Sequence, residues 1–85
     1  MKVKVFSMKG CPHCDKLKTQ LKENNIEFLE LDVDQHEELY ENFSKKVENE
    51  YLPALLVGNT AFVPEKSFNT IDEAIELVKK HLQVL

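Results

Sequence analysis

The sequence predicts an α/β domain with a four-stranded mixed sheet and three flanking helices, in the order β-α-β-α-β-β-α. Three observations predict it. The N-terminal run Lys2 to Phe6 alternates polar and apolar residues, as a strand does. Three later stretches repeat their apolar residues at helical spacing. Two short apolar runs on either side of Gly58-Asn59 read as a hairpin. At 85 residues the chain is one domain, residues 1–85.

In the first strand Val3 and Val5 share a face and Phe6 joins from the other, with the strand ending near Ser7-Met8. Lys9-Gly10 is a turn signal, and Pro12 suits a first helical position, where its missing N–H is not needed. From Cys14 the apolar residues fall at Leu17 and Leu21, and Asn24-Asn25 should close that helix because Asn tolerates the left-handed cap. Ile26 to Val33 is the second strand, apolar on both faces, as in a central or parallel strand covered on each side. Asp34, with Glu37 three residues on, should cap a helix whose inner face is Leu39, Tyr40, Phe43 and Val47.

Leu52 to Val57 is the third strand, with Pro53 at its permitted start, and Thr60 to Val63 the fourth, stopped by Pro64. Thr70 with Glu73 forms a capping box for the last helix, whose stripe is Ile71, Ala74, Ile75, Val78 and Leu82. The first two strands should run parallel through a right-handed crossover, and the last two antiparallel.

The formal charge is −4 with both signs interspersed, which argues against phosphate-rich partners and anionic lipid. No basic run or aromatic platform points to nucleic acid. Met1 to Phe6 has too few consecutive apolar residues for a signal peptide, and no run approaches the ~18 that a membrane span needs. The expected compartment is therefore the reducing cytoplasm, where two cysteines are better suited to catalysis or metal than to a structural bridge.

Both cysteines lie in Cys11-Pro12-His13-Cys14, between the first strand and the first helix. Only a thiolate attacks a disulfide, so such a site must stabilise one. Cys11, at the helix start, meets free N–H groups and the positive end of the helix dipole. Lys9 and His13 bring further charge near it. Cysteines so placed have pKa values of about 3.5–7.5, against ~8.5 when free. Cys14, one turn in on the Leu17/Leu21 face, should be the more buried. Cys11 is thus the expected attacking thiol and Cys14 the resolving one. Pro12 sets the first turn so that the sulfurs can meet. His13 can donate to the thiolate and favour the reduced form, which raises the potential.

Two other uses of the pair stay open. A structural bridge of this size contributes only about 2 kcal/mol in the chain-entropy model. Zinc takes about four ligands, of which this motif supplies two. His13, His36 and His81 show no paired-ligand spacing, and His36 and His81 sit in charged helical stretches. No metal site is expected.

The strand before Cys11-Pro12-His13-Cys14, the run from Asn25 to Asp34, and Leu52-Pro53 before an apolar strand together carry a resemblance. The whole chain resembles a glutaredoxin, a small redoxin of the thioredoxin fold. The resemblance implies a thiol–disulfide oxidoreductase that reduces protein disulfides or glutathione mixed disulfides. It implies that Pro53 is cis and faces the cysteines, and that Leu52 offers its backbone to the bound substrate. Lys9 sits near the position where the family keeps a basic residue that meets a glutathione carboxylate, one place closer to the cysteine. Asp72 matches an aspartate that holds the γ-glutamyl end. Asn69-Thr70 stands where the family has Gly-Gly. Glutathione would be a co-substrate, with no tightly bound cofactor.

Alternative kinds of protein also fit. Redoxins of ribonucleotide reductase and very short thioredoxins take electrons from thioredoxin reductase. The Trp-Ser-Gly-Phe segment of those redoxins has only Lys66-Ser67-Phe68 as a counterpart here. From other classes come an iron–sulfur carrier, with a cluster held between two subunits by Cys11 and glutathione, and a redox-inert interaction module. Nothing in the sequence demands an oligomer, so a monomer is expected.

Overall fold

In β1 (Val3–Ser7) the valines point to one face of the sheet and Phe6 to the other, so both faces need cover. A computed structural model describes residues 3–49 and 51–83. Lys2, expected to open the first strand, lies outside them. The remaining elements are α1 (Pro12–Glu23), β2 (Leu29–Asp32), α2 (Glu37–Val47), β3 (Ala54–Val57), β4 (Thr60–Phe62) and α3 (Ile71–Gln83). The sheet order is β2-β1-β3-β4. β1 runs parallel to β2, with Val5 beside Glu30, and antiparallel to β3, with Val5 beside Leu55. β3 and β4 form the hairpin, turned at Gly58, whose φ of 61° suits a residue without a Cβ.

The two faces have different cores. On one, Leu17 and Leu21 of α1 and Ile71, Ala74, Ile75 and Val78 of α3 cover Val3, Val5, Leu55 and Val57. On the other, Tyr40, Phe43 and Val47 of α2 cover Phe6, Leu31 and Ala54. The Phe6 ring centre lies 4.7 Å from that of Phe43 and 5.4 Å from that of Tyr40. This is the thioredoxin fold.

Three local expectations need correction. The second strand is short and lies at the sheet edge, with no neighbour beyond it. Its double-sided apolarity serves two cores: Ile26 and Phe28 join the first, while Leu31 and Val33 join the second. Leu29, between them, is 44% exposed because the edge leaves its side uncovered. Asp34 does not cap α2. A turn intervenes, in which Asp32 accepts the Asp34 amide on its side chain and the Gln35 and His36 amides on its carbonyl. His36 is left as a cap without a side-chain bond. Leu39 is not an inner residue, since at 50% exposure it lies off the stripe of Tyr40, Phe43 and Val47.

Candidate functional site

The loop leaving β1 turns at Gly10, with φ of 77°, and delivers Cys11 to the N-cap of α1. Cys11 has extended backbone angles and Pro12 takes the first helical position. The Cys14 amide donates to Cys11 Sγ at 3.2 Å, so a sulfur fills the place where Ser or Asp usually accepts. The Asp15 amide donates to the Cys11 carbonyl at 3.1 Å and starts the helical ladder. The two cysteines are joined as a disulfide, with their Cα atoms 5.2 Å apart. Cys11 is 8% exposed and Cys14 0%. Both ends of the ring are therefore buried, Cys14 the more completely.

Leu52-Pro53 is a cis peptide, and Pro53 is buried where the chain enters β3. A groove of about 460 Å³ runs from His13 past Leu52 and Pro53 to the start of α3. Tyr51 continues one wall, and Pro64, Glu65 and Phe68 form another. Of the residues singled out in sequence, His13, Leu52 and Pro53 meet in this groove. Lys9 is exposed in the turn before Cys11, and Asp72 is exposed in the first turn of α3. Neither contributes to the groove lining.

At the far end of the groove, α3 is capped as its sequence predicts. Glu73 Oε1 accepts from the amides of Asn69 at 3.2 Å and Thr70 at 3.1 Å. In return the Glu73 amide donates to Thr70 Oγ1 at 3.2 Å. These donors are thus engaged within the chain.

On the flank of α1 away from the groove, Lys18 pairs with Glu30, and Ser7 Oγ donates to the same carboxylate at 2.9 Å. Lys18 Nζ also lies 3.5 Å from Asp15. The hydrogen bond to Glu30 raises the Lys18 pKa above the ordinary lysine value. Hydrogen bonds from Lys18 and then Ser7 hold the Glu30 carboxyl below the usual carboxylate range. Sequence reading did not find this cluster, because its members come from β1, α1 and β2. It also missed Tyr51 and Phe68, which look like ordinary loop aromatics until the fold brings their loops to one groove. Among the described residues, no three His, Cys, Asp or Glu side chains are placed to hold a metal ion. Among them also, no helix is long and apolar enough to cross a membrane.

The glutaredoxin family model matches residues 3–62, a span that includes β1, the cysteine pair, cis-Pro53 and the hairpin. The chain belongs to the glutaredoxin family. Solved structures agree on the fold of this glutaredoxin. A wheat glutaredoxin superposes with a TM-score of 0.72 at 20% identity, over 93% of this chain and 72% of its own. A glutaredoxin from Archaeoglobus fulgidus gives 0.72 at 18% identity, covering 92% and 86% of the two chains. NrdH-redoxin from Escherichia coli, described as glutaredoxin-like with a thioredoxin-like activity profile, gives 0.69 at 18% identity over 85% and 92%. Among curated proteins, none matches the chain. Family membership implies thiol–disulfide oxidoreductase chemistry, and the close Cys11–Cys14 pair is its redox centre.

Proposed function

We propose that this protein reduces protein disulfides and glutathione mixed disulfides by dithiol exchange through Cys11 and Cys14. One observation carries the reading: Cys11 Sγ is the cap of α1, accepting the Cys14 amide, and His13 between the two cysteines lines a groove that passes cis-Pro53. A helix start that donates to sulfur stabilises a thiolate over a thiol. In the reduced protein the Cys11 thiolate attacks one substrate sulfur, the substrate S–S bond breaks, and the first substrate thiol leaves with a proton. Cys14, losing its own proton, attacks Cys11 Sγ and expels the second thiol. Two electrons pass to the substrate and the protein is left as the Cys11–Cys14 disulfide.

Leu52 presents its backbone to the substrate chain like a short added strand. His13 favours the reduced form and so raises the potential of the couple, and Pro12 holds the first turn. Lys9 is a contact for a glutathione carboxylate, and the Asp72 carboxylate holds the γ-glutamyl end through its ammonium group. Glutathione is a co-substrate, no cofactor is tightly bound, and the protein works as a cytoplasmic monomer.

A second reading concerns the electron donor. Glu73 engages the Asn69 and Thr70 amides at the start of α3, donors that an incoming carboxylate would otherwise use. That favours thioredoxin reductase over glutathione. The test offers the oxidised protein reduced glutathione and, separately, thioredoxin reductase with its nicotinamide donor, and follows free thiols. Reduction by either assigns the donor. Failure of both to open the Cys11–Cys14 bond would sink the reductase reading.

A further inference from the structure

The groove beside the cysteines is bounded by two loops far apart in sequence, Tyr51 to Pro53 and Pro64 to Phe68. One side chain joins them. Asn49 is 9% exposed and lies just beyond the C-terminus of α2. Its Nδ2 donates to the Pro64 carbonyl at 2.9 Å, and its Oδ1 accepts the Tyr51 amide at 2.8 Å. Its own amide donates to the Ser44 carbonyl at 3.2 Å, which anchors the side chain to the last turn of α2. A buried amide with donor and acceptor both satisfied is held in one orientation.

The surrounding backbone is shaped for this clamp. Glu48, with φ of 54°, and Glu65, with φ of 69°, are non-glycine residues in left-handed conformation directly beside the two joined segments. Such residues persist where neighbouring bonds over-determine them, and they concentrate at ligand clamps. The Glu65 amide is held by the Phe68 carbonyl at 2.8 Å and the Ser67 amide by that of Val63 at 2.9 Å, so the second wall is stiff. Lys66 Nζ adds an exposed tie to the Val47 carbonyl at 2.8 Å.

We infer that Asn49 is a positioning residue for substrate, setting the separation of the two groove walls and hence where the Leu52 backbone meets the chain around a target disulfide. The inference rests on the reductase reading above. It makes the clamp matter for substrates that fill the groove and leaves the sulfur chemistry alone. Asn49→Ala removes both wall bonds. Asn49→Asp keeps the acceptor for Tyr51 but sets a carboxylate oxygen against the Pro64 carbonyl.

The experiment compares two substrates with the same leaving thiol: a peptide carrying a mixed disulfide with a chromophoric aromatic thiol, and the free symmetrical aromatic disulfide. For Asn49→Ala the peptide KM should rise about tenfold, the loss of both part-buried hydrogen bonds, with kcat unchanged. Kinetics on the small disulfide and the reduction potential should stay at wild-type values. Asn49→Asp should raise the peptide KM by a smaller factor, and it carries the test if the alanine variant does not fold. Lys66→Met should leave it near wild type. An unchanged peptide KM in both Asn49 variants overturns the inference. So does an equal loss of kcat on both substrates with a fall in melting temperature, the mark of a merely structural role. A wild-type protein inactive on both substrates would instead overturn the reductase reading on which the inference stands.

Discussion

The starts of α1 and α3 solve the same physical problem with different chemistry. Each leaves backbone amides without helical partners, and each satisfies them with a side chain three residues from the donor it serves. At α3 the partners are a hydroxyl and a carboxylate in a reciprocal box, Thr70 and Glu73. At α1 the acceptor is a sulfur, Cys11 Sγ, which can also bond covalently to Cys14. The box only stabilises. The sulfur cap couples the same stabilisation to oxidation state, because a donated N–H favours the thiolate that the reduced protein needs. The start of α2 is a third case, with His36 making no side-chain cap bond.

The widest separation of the two ends should come from Cys11→Ser. Serine is itself a good cap, so urea unfolding of the reduced variant should match the reduced wild type, while disulfide reduction is abolished. Cys14→Ser should retain exchange with glutathione mixed disulfides, which need only the attacking thiol. A variant without Cys11 that still reduces protein disulfides would break the comparison at its root.

His13→Val should lower the reduction potential by about 30 mV, the equivalent of ~1.4 kcal/mol in the two-electron couple, measured by redox equilibration. An unchanged potential would mean that the N-cap alone sets the couple. Thr70→Ala, at the other helix, should reduce stability by about 1 kcal/mol in urea unfolding. It should leave the potential where it was, since it touches only the box.

The smallest effect is expected beside α1, at Lys18 and Glu30. Removing the pair as Lys18→Met should reduce stability by at most about 1 kcal/mol, because both groups are reached by solvent. Its pH dependence has a definite sign. Glu30 is depressed in the folded protein, so its contribution is whole above the unfolded carboxylate range and fades as pH falls through the folded value. Lys18 is raised, so its contribution is whole below the unfolded lysine value and is lost as pH climbs through the folded one. The difference between wild type and Glu30→Gln should therefore be largest near neutrality and vanish in acid, read from unfolding at a series of pH values.

Local pattern determined much of this protein. Helical spacing named Ile71, Ala74, Ile75 and Val78 as the buried stripe of α3, with Leu82 half-buried beyond them, and Thr70-x-x-Glu73 named its cap, because both depend on neighbours within a turn. The placement of Cys11 at a helix start followed from Gly10 and Pro12 for the same reason. Asp34-x-x-Glu37 failed because the spacing of a box does not reveal whether a turn, here built on Asp32, comes first.

Tertiary structure alone decided the rest. Which strand lies at the edge depends on pairing partners distant in sequence, and that left Leu29 exposed although its alternation looked like an inner strand. The Ser7–Lys18–Glu30 cluster joins three elements, and Asn49 joins two loops to the end of α2. Such residues are single polar letters in the chain, and nothing periodic marks them. Their role appears only when the fold buries them or brings a donor within reach, because a hydrogen bond acts over about 3 Å whatever the separation in sequence. The sequence by itself determined the cysteine pair and the helix that holds it. The folded chain determined the walls of the groove beside it.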